Sequence, residues 1–386
     1  MNRVPHVLVV GAGIFGVWTA LELLRRGARV TLIDAWGPGH ARSSSGGETR
    51  IIRATYGSHA IYTRMARRAL ARWRDYDERW GAGLLRRTGA VWLVPAGASF
   101  AEASASTLRA EGIPFDELTL TEAARRYPQM SLEDVDRVWF EPEAGYLFAS
   151  RACAHLAARV VAEGGTYRVA AAAAPVALGA HGVTLTDGTS ANADRYVFAC
   201  GPWLGELFPD IIGECVTATR QEVYYFGVPP GDDRFLEGRL PVWLECGGRF
   251  IYGVPSDDGR GFKIADDTPG PVLNPTTDER VPTLEGVTAA RDYLGRRFPA
   301  LRDAPLTSAE VCQYEATPDS HFIIDRHPEN GRVWIVGGGS GHGFKMGPIV
   351  GEISAAAVLE QAEPDPAFAL ARLAARPSVG WAAKWA

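Results

Sequence analysis

Lysine is nearly absent from this chain of 386 residues: among 40 basic residues only Lys263, Lys345 and Lys384 are not arginine. An ammonium is a compact point charge whose pKa moves when it loses water, which a guanidinium cannot match. Lys263 closes Gly261-Phe262-Lys263, and Lys345 closes the glycine-rich run Gly337-Gly-Gly-Ser-Gly341-His342-Gly343-Phe344-Lys345. Chance retention on the surface is the plain alternative for each. Arg50 and Arg53 stand three apart, a spacing that would put them on one face of a helix. A solvated face beside a loop is the other reading of that pair. Cys312, in Glu310-Val-Cys312-Gln-Tyr314-Glu, reads by itself as a buried structural thiol.

A second constellation opens the chain. Val7–Val10 is a short apolar strand run, followed at once by Gly11-Ala-Gly13-Ile14-Phe15-Gly16. A helical pattern then runs through Val17, Ala20, Leu21 and Leu24 to Gly27, and a second strand, Arg29–Ile33, ends at Asp34 and Ala35. The glycines permit a tight turn and bring backbone N–H groups to a pyrophosphate at the helix N-terminus. A carboxylate 23 residues beyond Gly11 can accept the ribose hydroxyls. A lone Gly-x-Gly-x-x-Gly is weak evidence; strand, glycines, helix, strand and acid in register are strong. Asp34 has no neighbouring arginine, which argues against a 2′-phosphate and so against NADP. The motif leaves NAD and FAD open. The polar loop from Gly37 to Arg50, with Ser44 and Ser45, could wrap a second phosphate or a ring edge.

The elements that must position these groups alternate in type. Helices are expected over 60–80, 100–111, 152–161 and 284–298, and strands over 84–87, 89–94, 216–228, 242–246 and 249–254. Arg195–Ala199 is a strand that stops at Gly201 and Trp203, as if returning to the nucleotide sheet. Val333–Val336 is another, and Lys345 is expected to open a helix running to about Gln361. A helix N-terminus carries roughly half a positive charge and free N–H donors. The small-residue run Ala170–Ala174 carries no evident function. This order implies an α/β fold: a discontinuous Rossmann-like nucleotide domain (1–80, 147–215 and 309–375) with a second, β-rich substrate domain (81–146 and 216–308) inserted twice.

The whole chain narrows the classes. Its 46% hydrophobic and 22% charged residues are those of an ordinary globular protein. A net charge of −5 argues against nucleic acid as partner. No apolar run approaches the ~20 residues of a membrane helix, and Met1-Asn-Arg-Val-Pro-His leaves no room for a signal peptide, so a cytoplasmic location is expected. Five scattered cysteines lack metal-ligand spacing, and no metal site is expected.

Together these motifs resemble a family. Gly-x-Gly-x-x-Gly, Gly47-Glu-Thr-Arg50-Ile51-Ile-Arg53-Ala-Thr-Tyr56, Cys312-x-Tyr314-x-x-Thr-Pro-Asp319 and Gly341-His342-Gly343-Phe344-Lys345, in that order, are similar to those of the sarcosine, N-methyltryptophan and pipecolate oxidases among the D-amino-acid-oxidase-type flavoproteins. The resemblance spans residues from about 7 to 351. It implies FAD, a two-domain α/β fold, a monomer, and oxidation of a secondary or cyclic amine or amino acid to an imine, with oxygen reduced to hydrogen peroxide. It further implies that Cys312 joins the flavin in a thioether, that Arg53 and Lys345 hold the substrate carboxylate, and that Arg50 lies close to the flavin. Lys263 would activate oxygen, and Tyr252 and Tyr314 would belong to the substrate pocket. Aimed at a flavin ring, the helix N-terminus near Lys345 would stabilise its anionic reduced form.

Two departures bear on the substrate. Ser45 and Gly46 replace a pair of histidines, nearer the serine-rich pipecolate type. Past Lys263 the family's pocket histidine gives way to Ile264-Ala-Asp266-Asp267, and an acid there would favour a substrate ammonium or a second basic group; solvated loop aspartates are the alternative. A flavin dehydrogenase passing electrons to a carrier would share every motif except Lys263. A non-catalytic nucleotide-binding protein would leave Cys312 and Lys345 without a purpose.

Overall fold

The computed structural model describes residues 3–375, except 258, 361 and 364; Lys384 and Gln361 lie outside the described residues. A six-stranded sheet is ordered Ile323–Arg326, Val333–Gly337, Arg195–Phe198, His6–Val10, Arg29–Asp34, Thr166–Val169. Its strands run parallel except the first, which turns back antiparallel on its neighbour. Alternate residues of the central strands feed two separate cores. Val7 and Val9 pack with the helices Ile14–Arg25, Ala60–Trp80, Ala149–Ala162 and Gly347–Glu360. Leu8 and Val10 pack on the other face, under a small antiparallel sheet that carries Val183 and Ala191. Burial on both faces is why Val7–Val10 reads as a continuous apolar run rather than an alternating one.

An eight-stranded sheet stands beside it, ordered Leu306–Ala316, Thr217–Phe226, Phe262–Asp266, Phe250–Val254, Val242–Cys246, Ala90–Val94, Arg137–Glu141, Asp116–Leu118. Val91 and Leu93 face the helix Leu284–Arg297, while Ala90, Trp92 and Val94 face the helix Ser99–Ala110. Leu306–Ala316 passes straight through the expected 308/309 boundary: it pairs along its length with Thr217–Phe226 and then delivers Thr317 to the Ser340 hydroxyl, in the loop after Val333–Gly337 of the other sheet. No helix among the described residues is long and apolar enough to cross a membrane.

Two local expectations need correction. Arg50 and Arg53 do not share a helical face, because Thr49–Ile52 is a strand paired antiparallel with Gly145–Phe148. β-Branched Thr49, Ile51 and Ile52 favour pleated backbone, and an odd spacing on extended chain sends the two guanidiniums to opposite sides. Nor does Lys345 open the last helix. It sits in a 3-10 turn, Phe344–Met346, and the helix proper starts at Gly347. That start is fixed by contact with Trp18, since a Cβ on Gly347 would lie 2.5 Å from its ring.

Candidate active site

A long cleft of about 410 Å³ runs between the two large sheets, and nearly every residue singled out from the sequence lines it. At its first end, Gly11 has φ +103°, and a Cβ there would stand 2.4 Å from the Ala199 carbonyl oxygen. Gly16 supports the turn from beneath and does not line the cleft; a Cβ on it would overlap the Gly11 carbonyl oxygen at 1.8 Å. Gly13 occupies the N-cap of Ile14–Arg25 without a side chain to cap it, and the Ser45 hydroxyl supplies the missing acceptor, 3.0 Å from the Ile14 nitrogen. Asp34 Oδ2 accepts the Ala12 N–H at 2.7 Å, while its Oδ1 accepts those of Trp36 and Gly37. The carboxylate therefore fastens the glycine turn as well as facing the cleft with Ala35 and Phe15. Trp203, beyond Gly201, packs on Trp36 at 4.7 Å between ring centroids and donates to Thr276 Oγ1.

The cleft's middle is built by Arg50, Ile51, Cys312 and the loop after Val333–Gly337. Arg50 donates to the Ser44, Gly46 and Thr49 carbonyls and reaches Cys312 Sγ at 3.2 Å. Cys312 is a free thiol. The loop is strained at Ser340, whose φ of 45° is rarely adopted by non-glycine residues. Its N–H donates to the Glu315 carbonyl, and its hydroxyl to that of Gly338, which hold it there. Gly341, His342, Gly343 and Phe344 complete this wall.

The far end gathers charge around one ring. Lys345 Nζ donates to the Tyr56 hydroxyl at 3.0 Å and to the His342 carbonyl at 3.2 Å. The Arg53 guanidinium lies 4.7 Å from the Tyr56 ring centroid and 5.1 Å from that of Trp92, and donates to the Thr55 carbonyl. In the same cleft, the Tyr314 hydroxyl donates to Asp267 Oδ1 at 2.7 Å, with Tyr252 beside it. Burial, and then the Asp267 charge, push the Tyr314 pKa well up, so the phenol keeps its proton and remains a donor. Both aspartates line the cleft, but they differ in partner: Asp267 is buried, whereas Asp266 is half-buried and pairs with Arg249. An amphiphilic anion with a cationic or polar partner fits this end, because two buried cations and a buried carboxylate face one space.

Lys263, like Gly16, is a predicted site residue that the structure keeps out of the cleft lining. It is buried, but its Nζ donates to the Thr49 carbonyl (2.9 Å) and hydroxyl (3.0 Å), and it does not line the cleft. Desolvation first, and the nearby Arg50 charge second, bring its pKa down to about 7.

Several lining or supporting residues escape the sequence reading. Tyr56, the ring shared by both cations, closes the run Gly47–Tyr56 as a plain aromatic, with no charge or nucleophile to mark it. Glu141 accepts the Ala54 N–H and the Thr55 hydroxyl, fixing the chain just past Arg53; its signal was a lone acid closing the apolar strand Arg137–Glu141. Ala170, Ala171, Ala172 and Ala174 line the cleft near Asp34, so the functionless run of small residues leaves room for a ligand. Glu315 lines it too.

The arrangement fits a flavin dinucleotide: glycines where any Cβ would clash, an acid at the ribose end, and a free thiol midway to the charged pocket. The sequence profile of the FAD-dependent oxidoreductase family (DAO) matches residues 6–357. The monomeric sarcosine oxidase of Streptomyces avermitilis is 31% identical, covering 98% of this chain and 100% of that protein. The N-methyl-L-tryptophan oxidase of Yersinia pestis is 29% identical over 95% of this chain and 98% of its own. Among solved structures, L-proline dehydrogenase from P. horikoshii superposes with a TM-score of 0.81 at 22% identity, covering 96% of this chain and 98% of that one. NikD, an amino acid oxidase, does so with 0.78 at 19%, covering 96% and 97%. These last two likenesses establish the fold.

Proposed function

The chain belongs to the FAD-dependent oxidoreductase family, and from that premise we propose that it oxidises a secondary or cyclic amine bearing a carboxylate to the imine, with oxygen as acceptor and hydrogen peroxide as product. The observation that carries this reading is the convergence of Arg53 and Lys345 on Tyr56, in the cleft that Tyr314 and Asp267 also line. Gly11, Gly13, Asp34, Ser45 and the Gly339–Phe344 loop would hold FAD, which when bound supplies the two-electron acceptor for the substrate. Cys312 is the residue that would anchor it covalently.

The chain's own groups do the rest. Arg53 and Lys345 dock the carboxylate through charge-assisted hydrogen bonds, which fixes the amine and its α-carbon in one place. Asp267, with Tyr314 donating to it, selects a substrate whose amine or second basic group complements a negative wall. No side chain acts as a strong base, since an amine bound deprotonated has its lone pair ready. Lys263, which takes up its proton as pH falls through about 7, is the cation assigned to oxygen reduction. The domain division expected from the sequence is retained as part of this proposal, with the cleft at the seam.

A second reading draws on one observation: Lys263 Nζ turns to Thr49 rather than into the cleft. A dehydrogenase using a soluble electron carrier would tolerate that. The test is an absorption spectrum of the purified protein and of its acid-precipitated pellet, followed by oxygen uptake with sarcosine, N-methyl-L-tryptophan, pipecolate and proline. Flavin colour in the pellet with oxygen uptake is the expected result. Turnover with a dye but not with oxygen selects the dehydrogenase, and a colourless protein that takes up no flavin overturns both.

A further inference from the structure

Glu315 has no part in the chemistry above, yet it is an acid buried in the cleft wall. The residue is 6% exposed and lines the cleft. Oε1 accepts the Gly339 N–H at 2.9 Å, whereas Oε2 is buried and has no hydrogen-bond partner among the described residues. A buried carboxyl oxygen left unpaired is costly, so this one calls for a partner that the described residues do not supply. Burial drives the acid up to about 7, while the Gly339 and Gly338 N–H groups oppose the rise. It can therefore accept or donate near neutrality.

Its position identifies what it meets. Oε2 stands above Gly201, where an added Cβ would lie 2.9 Å away. Gly201 follows the strand Arg195–Phe198, and Gly339 follows Val333–Gly337, so the carboxyl bridges the carboxyl ends of two adjacent parallel strands. On one side lies Gly11, packed against Ala199, where the diphosphate belongs. On the other lies Cys312, three residues earlier on Glu315's own strand, where the ring belongs. The segment of a flavin dinucleotide that crosses between these points is its polyhydroxylated linker. A permanent anion would be repelled by the diphosphate; an acid that keeps its proton is not.

Resting on the FAD reading, we infer that Glu315 Oε2 hydrogen-bonds a hydroxyl of the cofactor's ribityl chain and thereby positions the flavin along the cleft. The test uses the full chain as apoprotein in a Cys312→Ser background, which keeps flavin exchangeable. Dissociation constants are measured by flavin fluorescence for FAD and for its 2′-, 3′- and 4′-deoxyribityl analogues. The parent is expected to bind at least one analogue roughly tenfold more weakly than FAD, and Glu315→Ala to erase that preference. If Glu315 served only to hold Gly339, the variant would weaken FAD and analogues alike, leave the preference intact, and overturn the inference. A parent that shows no preference overturns it as well. A parent that binds no FAD overturns the functional reading itself, a separate outcome. Should the alanine variant not fold, Glu315→Met keeps the bulk and is read in the same way.

Discussion

Lysine and arginine divide the labour at the residue scale. Arg53 is sandwiched among Tyr56, Trp92 and Phe250, a place for a planar ion that stacks, while Lys345 reaches Tyr56 and the His342 carbonyl as a point donor. Replacing Lys345 by alanine is expected to lower kcat/KM for a carboxylate-bearing amine by roughly 100-fold, mostly through KM, as steady-state kinetics would register. Uncharged cyclic amines should be far less affected. Lys263 makes a different prediction because burial lowers its pKa to about 7. Between that value and about 10.5 the unfolded chain binds a proton that the folded one does not. Its contribution to stability is complete above about 10.5 and is lost as pH falls through 7. Lys263→Met should accordingly flatten the rise of denaturation midpoint with pH over this window, and slow the oxygen half-reaction by roughly 100-fold in stopped flow while leaving flavin reduction intact.

Elements are held in place by bare backbone as much as by side chains. The helices Ile14–Arg25 and Gly347–Glu360 touch through glycine: a Cβ on Gly351 would lie 2.8 Å from the Trp18 backbone. Close packing tolerates little added volume. Gly351→Ala is expected to cost about 1–3 kcal/mol by chemical denaturation. Because the first helix carries the turn at Gly11–Gly16, the same variant should also lose flavin more readily. The opposite device holds Arg297, which is almost wholly buried and pairs with Glu245 while donating to the Ser131 and Glu133 carbonyls. That ion anchors the helix Leu284–Arg297 to the eight-stranded sheet.

The two sheets act together at the scale of the molecule, since one cleft draws its walls from both. Arg42 and Arg280 tie the loop around Pro275 and Thr276 to the polar loop near Ser43, across the same seam. A ligand filling the cleft must then stabilise both halves at once. Adding FAD to apoprotein at 100 times its dissociation constant is expected to raise stability by about 2.7 kcal/mol. Calorimetry should record a single transition that moves upward as a unit; two transitions, of which one stays put, would contradict the coupling.

Local pattern was enough for the nucleotide end. Strand, glycine turn, helix and Asp34 are contiguous, so their geometry follows from short-range backbone sterics and hydrophobic period alone. The motifs around Arg50, Cys312 and Lys345 were legible for the same reason, as runs in a family's order. What they do to one another was not. That Arg50 faces Cys312 while Arg53 faces Tyr56 depended on Thr49–Ile52 pairing as a strand with Gly145–Phe148, a partner about a hundred residues away. That Asp267 accepts from Tyr314 while Asp266 meets Arg249 was decided by which distant side chains the fold brings to one strand end. Glu315 became visible only when Gly201 and Gly339 closed around it. Contacts between distant segments are set by how sheets stack and which faces they bury, and no spacing along the chain encodes that before the layers meet.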